Sequence, residues 1–268
     1  MAMFSSLLLR LTAVETAAVS PFLGRQMHAL FLDIIGRLSP GLAGTLHADT
    51  PLRPFTISGL IGQSDEEQTA GRVNAGNTYY ARFTFLDASI SSVFRDAAGR
   101  LVKEVRLLDK ARFVIEGLLE RSSESPLCGS TTAEQLLHSA GSARKISLQF
   151  FSPCAFRSQG RRNVVFPLPQ LVFGSWLARW QHFSSAPLDP LLANIFERVN
   201  VSRYALLTRP AGYGSYLETG FEGDCVFELP RNISDEEAGC LNALADFAFY
   251  CGTGAKTAMG MGQTRRIK

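Results

Sequence analysis

Cysteine is scarce in this 268-residue chain, with five residues at 128, 154, 225, 240 and 251 and no C-x-x-C pair among them. An odd, scattered set argues against a disulfide framework and against a zinc site, and a reducing cytoplasm fits best. No run reaches the roughly 18 apolar residues of a membrane-spanning helix. The opening MAMFSSLLLRLTAVETAA has an apolar core, but Arg10 interrupts it and no basic cluster precedes it. It is therefore expected to be a strand rather than a signal peptide. No set of His, Cys, Asp and Glu has metal-ligand spacing, so neither a metal nor another cofactor is expected. Charge is only 19% of the residues against 46% hydrophobic, which excludes a disordered chain.

Two nucleotide signatures are also missing. The closing stretch CGTGAKTAMGMGQTRRIK, Cys251 to Lys268, holds Gly252, Gly254, Gly260 and Gly262 around Lys256 and Thr257. A P-loop needs glycine before its lysine and a helix after it, but Ala255 precedes Lys256 and only twelve residues follow. A dinucleotide fingerprint needs a third glycine where Thr257 stands. What remains is G-x-G-x5-G-x-G, a loop expected to present bare amides and one mobile lysine charge to a phosphate.

Acids are absent from Gln135 to Leu188 and again after Asp246. Arg144, Lys145, Arg157, Arg161, Arg162 and Arg179 fill the first gap; Lys256, Arg265, Arg266 and Lys268 fill the second. Of the 27 basic residues 22 are arginine, whose planar fork suits phosphate oxygens. Such stretches predict positive surface, with nucleic acid as the expected polyanion.

Along the chain, Leu7, Leu9, Leu11 and Ala13 alternate as one face of a strand over 5–14. A helix over about 22–38 ends before Pro40. Strands follow at 51–62 and 77–87, then a short helix over 88–97 and one or two strands between 101 and 120. The Ser-rich segment 121–132 is predicted to be a linker. A second cycle has a strand at 144–153, helices at 169–183 and 189–199, and strands at 201–208 and 221–229. A helix introduced by the capping box of Ser234 and Glu237 comes next, then a last strand in QTRRI. The order β-α-β-β-α-β appears twice, which predicts an α+β protein of two tandem ferredoxin-like domains, 1–125 and 126–268.

Three segments resemble one family. MHALFLDIIGRLSPGLAGTLHADTPLRPFTISGLIG looks like the first helix, histidine loop and second strand of CRISPR-associated endoribonucleases that process precursor CRISPR RNA, in the repeat-associated mysterious protein (RAMP) superfamily. LQFFSPCAFRSQGRRNVVFPLPQLVFGSWLARW is similar to the start of their second half, and FAFYCGTGAKTAMGMGQTR to their terminal glycine-rich loop.

The resemblance implies RNA lying across the face and cleft of two ferredoxin-like domains. It also implies metal-independent cutting within CRISPR repeats by the RNA 2′-hydroxyl, leaving a 2′,3′-cyclic phosphate and a 5′-hydroxyl. His47, in a Gly- and Pro-flanked loop, falls where the family keeps its general acid or base, and Arg53 where it keeps a basic residue for the phosphorane. Leu32 stands where some members carry a tyrosine, leaving His28 on the same helix as the one obvious substitute. Arg157, Arg161 and Arg162, together with Gly252, Gly254, Lys256, Thr257, Gly260 and Gly262, are expected to hold RNA. The competing expectation is a non-catalytic RNA-binding subunit of an effector complex, which would not need His47. Repeat RNA is the expected partner, with other effector subunits allowed, no membrane, and monomer and dimer both open.

Overall fold

Strand β1 (Met3–Ala13) runs through the middle of the first sheet. The computed structural model describes residues 3–48, 50–62, 71–157 and 163–267. In it Leu7, Leu9, Leu11 and Ala13 are buried on one face of β1, as their alternation predicts. Helix α1 (Gly24–Leu38) lays Met27, Leu30, Phe31, Ile34 and Ile35 on that face. Then come α2 (Pro40–His47), β2 (Phe55–Ile61), β3 (Thr78–Phe85), α3 (Ala88–Arg100), β4 (Val105–Leu108) and β5 (Ala111–Leu119). All pairings are antiparallel in the order β2-β3-β1-β5-β4. Without the hairpin strand β4, this is a ferredoxin-like unit.

The segment read as a linker does more than connect. It ends in β6 (Gly129–Thr132), which pairs with Met3–Ser6 of β1 and so extends the first sheet. The following α4 (Ala133–Ser139) starts from a Thr132–Gln135 capping box.

The second unit comprises β7 (Lys145–Cys154), α5 (Pro169–Phe183), β8 (Asn200–Gly212), β9 (Leu217–Glu228), α6 (Asp235–Cys251) and β10 (Thr264–Ile267). Its sheet order is β8-β9-β7-β10, again ferredoxin-like. The Ser234–Glu237 capping box forms as the sequence predicts. The helix predicted over 189–199 shrinks to two short turns, Pro190–Leu192 and Ala193–Phe196. Conversely, β8 and β9 run further toward their shared turn than the sequence suggests.

The two units are pinned by buried polar groups. Arg82 is 1% exposed and donates to Ser6 Oγ, Leu127 O, Gln263 Oε1 and Phe249 O, with its guanidinium 4.0 Å from the Phe249 ring centroid. Burial pulls its pKa down to about 9. Gln263 also donates to Thr56 Oγ1 and Ile57 O of β2. Around these contacts, Leu8, Ile61, Leu127 and Cys128 form a small shared core with partly buried Phe151 and Phe249.

Candidate active site

Helix α1 stops because Pro40 keeps Ser39 out of the helical region (φ −142°, ψ 83°), and the same proline then opens α2. The loop expected around His47 is thus corrected to a short helix of which His47 is the last residue. Gly41, Gly44 and Pro40 hide this helix from propensity. Leu46 is buried in the first core, and Leu42 and Ala43 pack against it, so tertiary burial supplies what propensity lacks.

His47 itself is exposed. Arg53 donates from Nη1 to the Leu46 carbonyl, tying the approach to β2 to the end of α2. Its guanidinium carbon lies 6.0 Å from the Phe55 ring centroid. His28, on α1, stacks on that same ring at 6.1 Å with 23° between planes. The structure therefore brings His28 and Arg53 to the Phe55 ring, with His47 close enough for its charge to act on His28. Burial, above all, holds the His28 pKa below its ordinary value; charge on Arg53 and His47 acts in the same direction, against a pull upward from its bond to Ala258.

That bond fixes the tautomer. His28 Nδ1 lies 2.9 Å from the Ala258 carbonyl, which can only accept, so Nδ1 carries the proton. Neutral His28 then keeps its lone pair on Nε2. Sequence alone gave little reason to choose His28: its acceptor is 230 residues away. The usable signal was helical spacing, since His28 sits one turn before Leu32, where the family resemblance places an aromatic group.

Ala258 belongs to the glycine-rich loop, and here the expectation of bare amides is corrected for four positions. Gly252 N–H bonds Ala248 O, Thr253 N–H bonds Gly262 O, Ala255 N–H bonds Ala155 O, and Gly262 N–H bonds Pro153 O. Gly252, Gly254, Gly260 and Gly262 all have positive φ. At Gly262 (φ 72°) a Cβ would stand 2.1 Å from the Thr253 carbonyl, so only glycine permits that approach. Gly260 bridges to Ser58 of β2, and Thr257 is buried. Gly260 serves close packing between the units, against Phe22 and Gly24, whereas Gly252, Gly254 and Gly262 serve it within the second.

Lys256 is not a mobile charge either. Its Nζ is 2.8 Å from Glu218 Oε1 and 2.9 Å from the Tyr216 hydroxyl, and it lies over the rings of Tyr213 and Tyr216. The acid-free runs are likewise answered in space: Arg144 pairs with Asp235 and Arg266 with Asp246. Arg179 is buried and donates to the carbonyls of Ser175 and Gly254. Arg157 is exposed, on a two-residue ladder with Asn163–Val164. Arg161 and Arg162 lie outside the described residues. Among the described residues, no three His, Cys, Asp or Glu side chains converge as a metal site, and no helix is long and apolar enough to cross a membrane.

Comparison with known proteins bears on this geometry. The family described as CRISPR-associated endoribonuclease Cas6 matches residues 148–264, and that described as CRISPR Cas6 N-terminal domain matches residues 3–94. A CRISPR-associated endoribonuclease Cas6 of Mycobacterium tuberculosis is 29% identical over 133 residues, covering 49% of this chain and 41% of that relative. The aligned part is thus under half of the relative's length. Solved structures match end to end. A Cas6 product complex is 27% identical at a TM-score of 0.84, covering 100% of both chains. Thermus thermophilus Cas6 is 27% identical at 0.78, covering 100% of this chain and 99% of that one. A Cas6 substrate mimic complex is 25% identical at 0.78, with both chains fully covered.

Proposed function

The chain belongs to the Cas6 family of CRISPR-associated endoribonucleases, and from that premise we propose that it cuts precursor CRISPR RNA within its repeats, using the RNA's own 2′-hydroxyl. The observation that carries this reading is the meeting of His28 and Arg53 at Phe55, with His47 near enough for its charge to act on His28. Transfer to an internal hydroxyl needs a base, an acid and a cation for the developing charge.

His28, disposed to be neutral and with Nδ1 committed to Ala258, takes the 2′-hydroxyl proton through Nε2. The 2′-oxygen bonds to phosphorus, the bond from phosphorus to the 5′-oxygen breaks, and His47 gives that oxygen its proton. Arg53 faces the extra charge of the phosphorane. The products end in a 2′,3′-cyclic phosphate and a 5′-hydroxyl, and no metal-generated hydroxide enters the scheme. Exposed arginines hold the RNA, with Arg157 the described member of that set and Arg161 and Arg162 its neighbours in sequence. The glycine-rich loop supports the site from behind.

The test is a denaturing gel of repeat RNA incubated with the protein in excess EDTA. Cutting persists there and disappears with a 2′-deoxy nucleotide at the scissile position. Cutting of the deoxy substrate would mean an external nucleophile and end the scheme. Tight binding without any cutting would leave a non-catalytic RNA-binding subunit.

A further inference from the structure

We propose that Lys256 acts as a latch, a positioning residue that aligns the His28 imidazole through the glycine-rich loop, and does not hold phosphate. The inference rests on the proposed nuclease reading, since it assigns the support of that site. Four contacts carry it.

The Lys256 ammonium ends in a closed set of protein partners: the Glu218 carboxylate at 2.8 Å, the Tyr216 hydroxyl at 2.9 Å, and the ring faces of Tyr213 and Tyr216 at 4.6 and 4.3 Å. Asn163 donates to the other Glu218 oxygen, so the carboxylate is itself held in place. The lysine backbone is left-handed (φ 55°, ψ 31°), a conformation that non-glycine residues rarely adopt. Its carbonyl accepts from the amides of Met259 (2.9 Å) and Met261 (3.3 Å), which closes the turn Thr257–Met259.

That turn is the support of His28. Its middle carbonyl, Ala258 O, accepts from Nδ1, and its last carbonyl, Met259 O, accepts from the Tyr213 hydroxyl at 3.0 Å. Tyr213 thus touches both ends of the device, the ammonium through its ring and the turn through its hydroxyl. A chain of contacts runs from the turn end of the β8–β9 hairpin, through Glu218 and Lys256, to the imidazole on α1. Loosening the lysine lets the Ala258 carbonyl drift, and His28 then loses its fixed tautomer and ring angle.

Two variants separate this role from phosphate binding. Lys256→Met removes the ammonium at similar length, and Glu218→Gln removes the carboxylate while keeping its shape. Melting curves and circular dichroism establish that each remains folded. The first readout is the long-range ¹H–¹⁵N imidazole spectrum of the RNA-free protein, with His28 assigned by comparison with His28→Gln. The wild type gives the Nδ1–H tautomer, and both variants give a mixture of tautomers. The second readout is single-turnover cleavage at saturating repeat RNA, which falls about tenfold in both variants, the scale of a modest misplacement, with RNA affinity unchanged.

Glu218→Gln is the decisive arm, because deleting an acid cannot remove a phosphate contact. If Lys256→Met weakens RNA binding while Glu218→Gln keeps the wild-type spectrum and rate, Lys256 is a phosphate ligand and the latch is wrong. The spectrum needs neither RNA nor turnover, so a wild-type protein that never cuts would sink the nuclease reading while leaving the latch to be judged by the tautomer alone.

Discussion

In the first unit, the candidate groups stand at the rim of their core: His47 exposed at the end of α2, His28 and Arg53 half-buried near Phe55. In the second unit, the basic groups of the glycine-rich loop and its support turn inward. Arg179 spends its donors on the carbonyls of Ser175 and Gly254, and Lys256 on Glu218 and Tyr216. Both units have the same strand order and comparably apolar cores, so the fold does not dictate the difference. What differs is commitment. A side chain already paired within the protein would have to break that pairing to meet a ligand, whereas a half-exposed imidazole with one free nitrogen would not. On the proposed reading, chemistry belongs to the first unit and framework to the second.

The largest expected effect would break that assignment if it failed. His47→Ala should slow single-turnover cleavage of repeat RNA by about 10²- to 10⁴-fold, the usual range for a general acid or base, while leaving affinity nearly unchanged. His28→Ala should also slow cleavage strongly, and Arg53→Ala should do so with a modest loss of binding. Wild-type rates in all three would move the chemistry out of the first unit.

A smaller effect addresses the framework. Gly24 opens α1 directly beneath the glycine-rich loop, and a Cβ there would stand 1.9 Å from the Met259 carbonyl. Gly24→Ala should cost about 1–3 kcal/mol through overpacking, read as a melting temperature lower by about 2–4 °C for each kcal/mol in a protein of this size class. An unchanged melting temperature would mean that the loop yields freely and the second unit is no rigid support.

The pH dependence sharpens the comparison further. His28 has a folded-state pKa below its ordinary value, so its neutral form persists below about 6.5. The rising limb of the pH–rate profile in single turnover should have its midpoint under that figure. The linkage has the matching sign. Any stability that His28 contributes is complete above the unfolded-state value and is lost as pH falls through the window down to the depressed folded value. A midpoint at or above 6.5 would contradict the proposed role of half-buried His28 as the base.

Much of the fold was legible because it is written locally. The Leu7–Leu9–Leu11 alternation, the helical stripe of α1 and the Ser234–Glu237 box each need only neighbours in sequence, and each appears in the structure. The site was less legible, for two physical reasons. Helix α2 is built on poor helix formers and held by the burial of Leu46, which local propensity cannot see. The loop carbonyl that fixes His28, and the acids that answer the basic runs, are distant along the chain: 230 residues for His28 and Ala258, and 91 for Arg144 and Asp235. A stretch without acids in sequence is therefore not a stretch without acids in space. Glycine richness, too, reads alike whether amides face a phosphate or a neighbouring carbonyl.

The smallest expected effect tests that last distinction among the arginines themselves. Arg157 is exposed beside the segment that carries Arg161 and Arg162, whereas Arg144 is bound to Asp235 at 2.8 Å and Arg266 to Asp246 at 3.3 Å. If exposed cations hold the RNA backbone, Arg157→Ala removes about one released counterion. The log–log dependence of affinity on salt then flattens by about 0.7, the value for a single-stranded contact, with only a few-fold loss of affinity near physiological salt. Replacing Arg161 and Arg162 together should flatten it by about twice as much. Arg144→Ala should leave the slope unchanged, because its charge is already answered within the protein, and should act only on the start of α6 where Asp235 lies. Measuring the slope rather than a single affinity matters here, since a folding defect lowers affinity at every salt concentration without changing the slope. Equal slopes for Arg157→Ala and the wild type would place the RNA path away from the Phe156–Val164 segment. A flattened slope for Arg144→Ala would mean that ion pairing does not remove an arginine from the RNA surface, and the division drawn between ion-paired and exposed arginines would no longer hold.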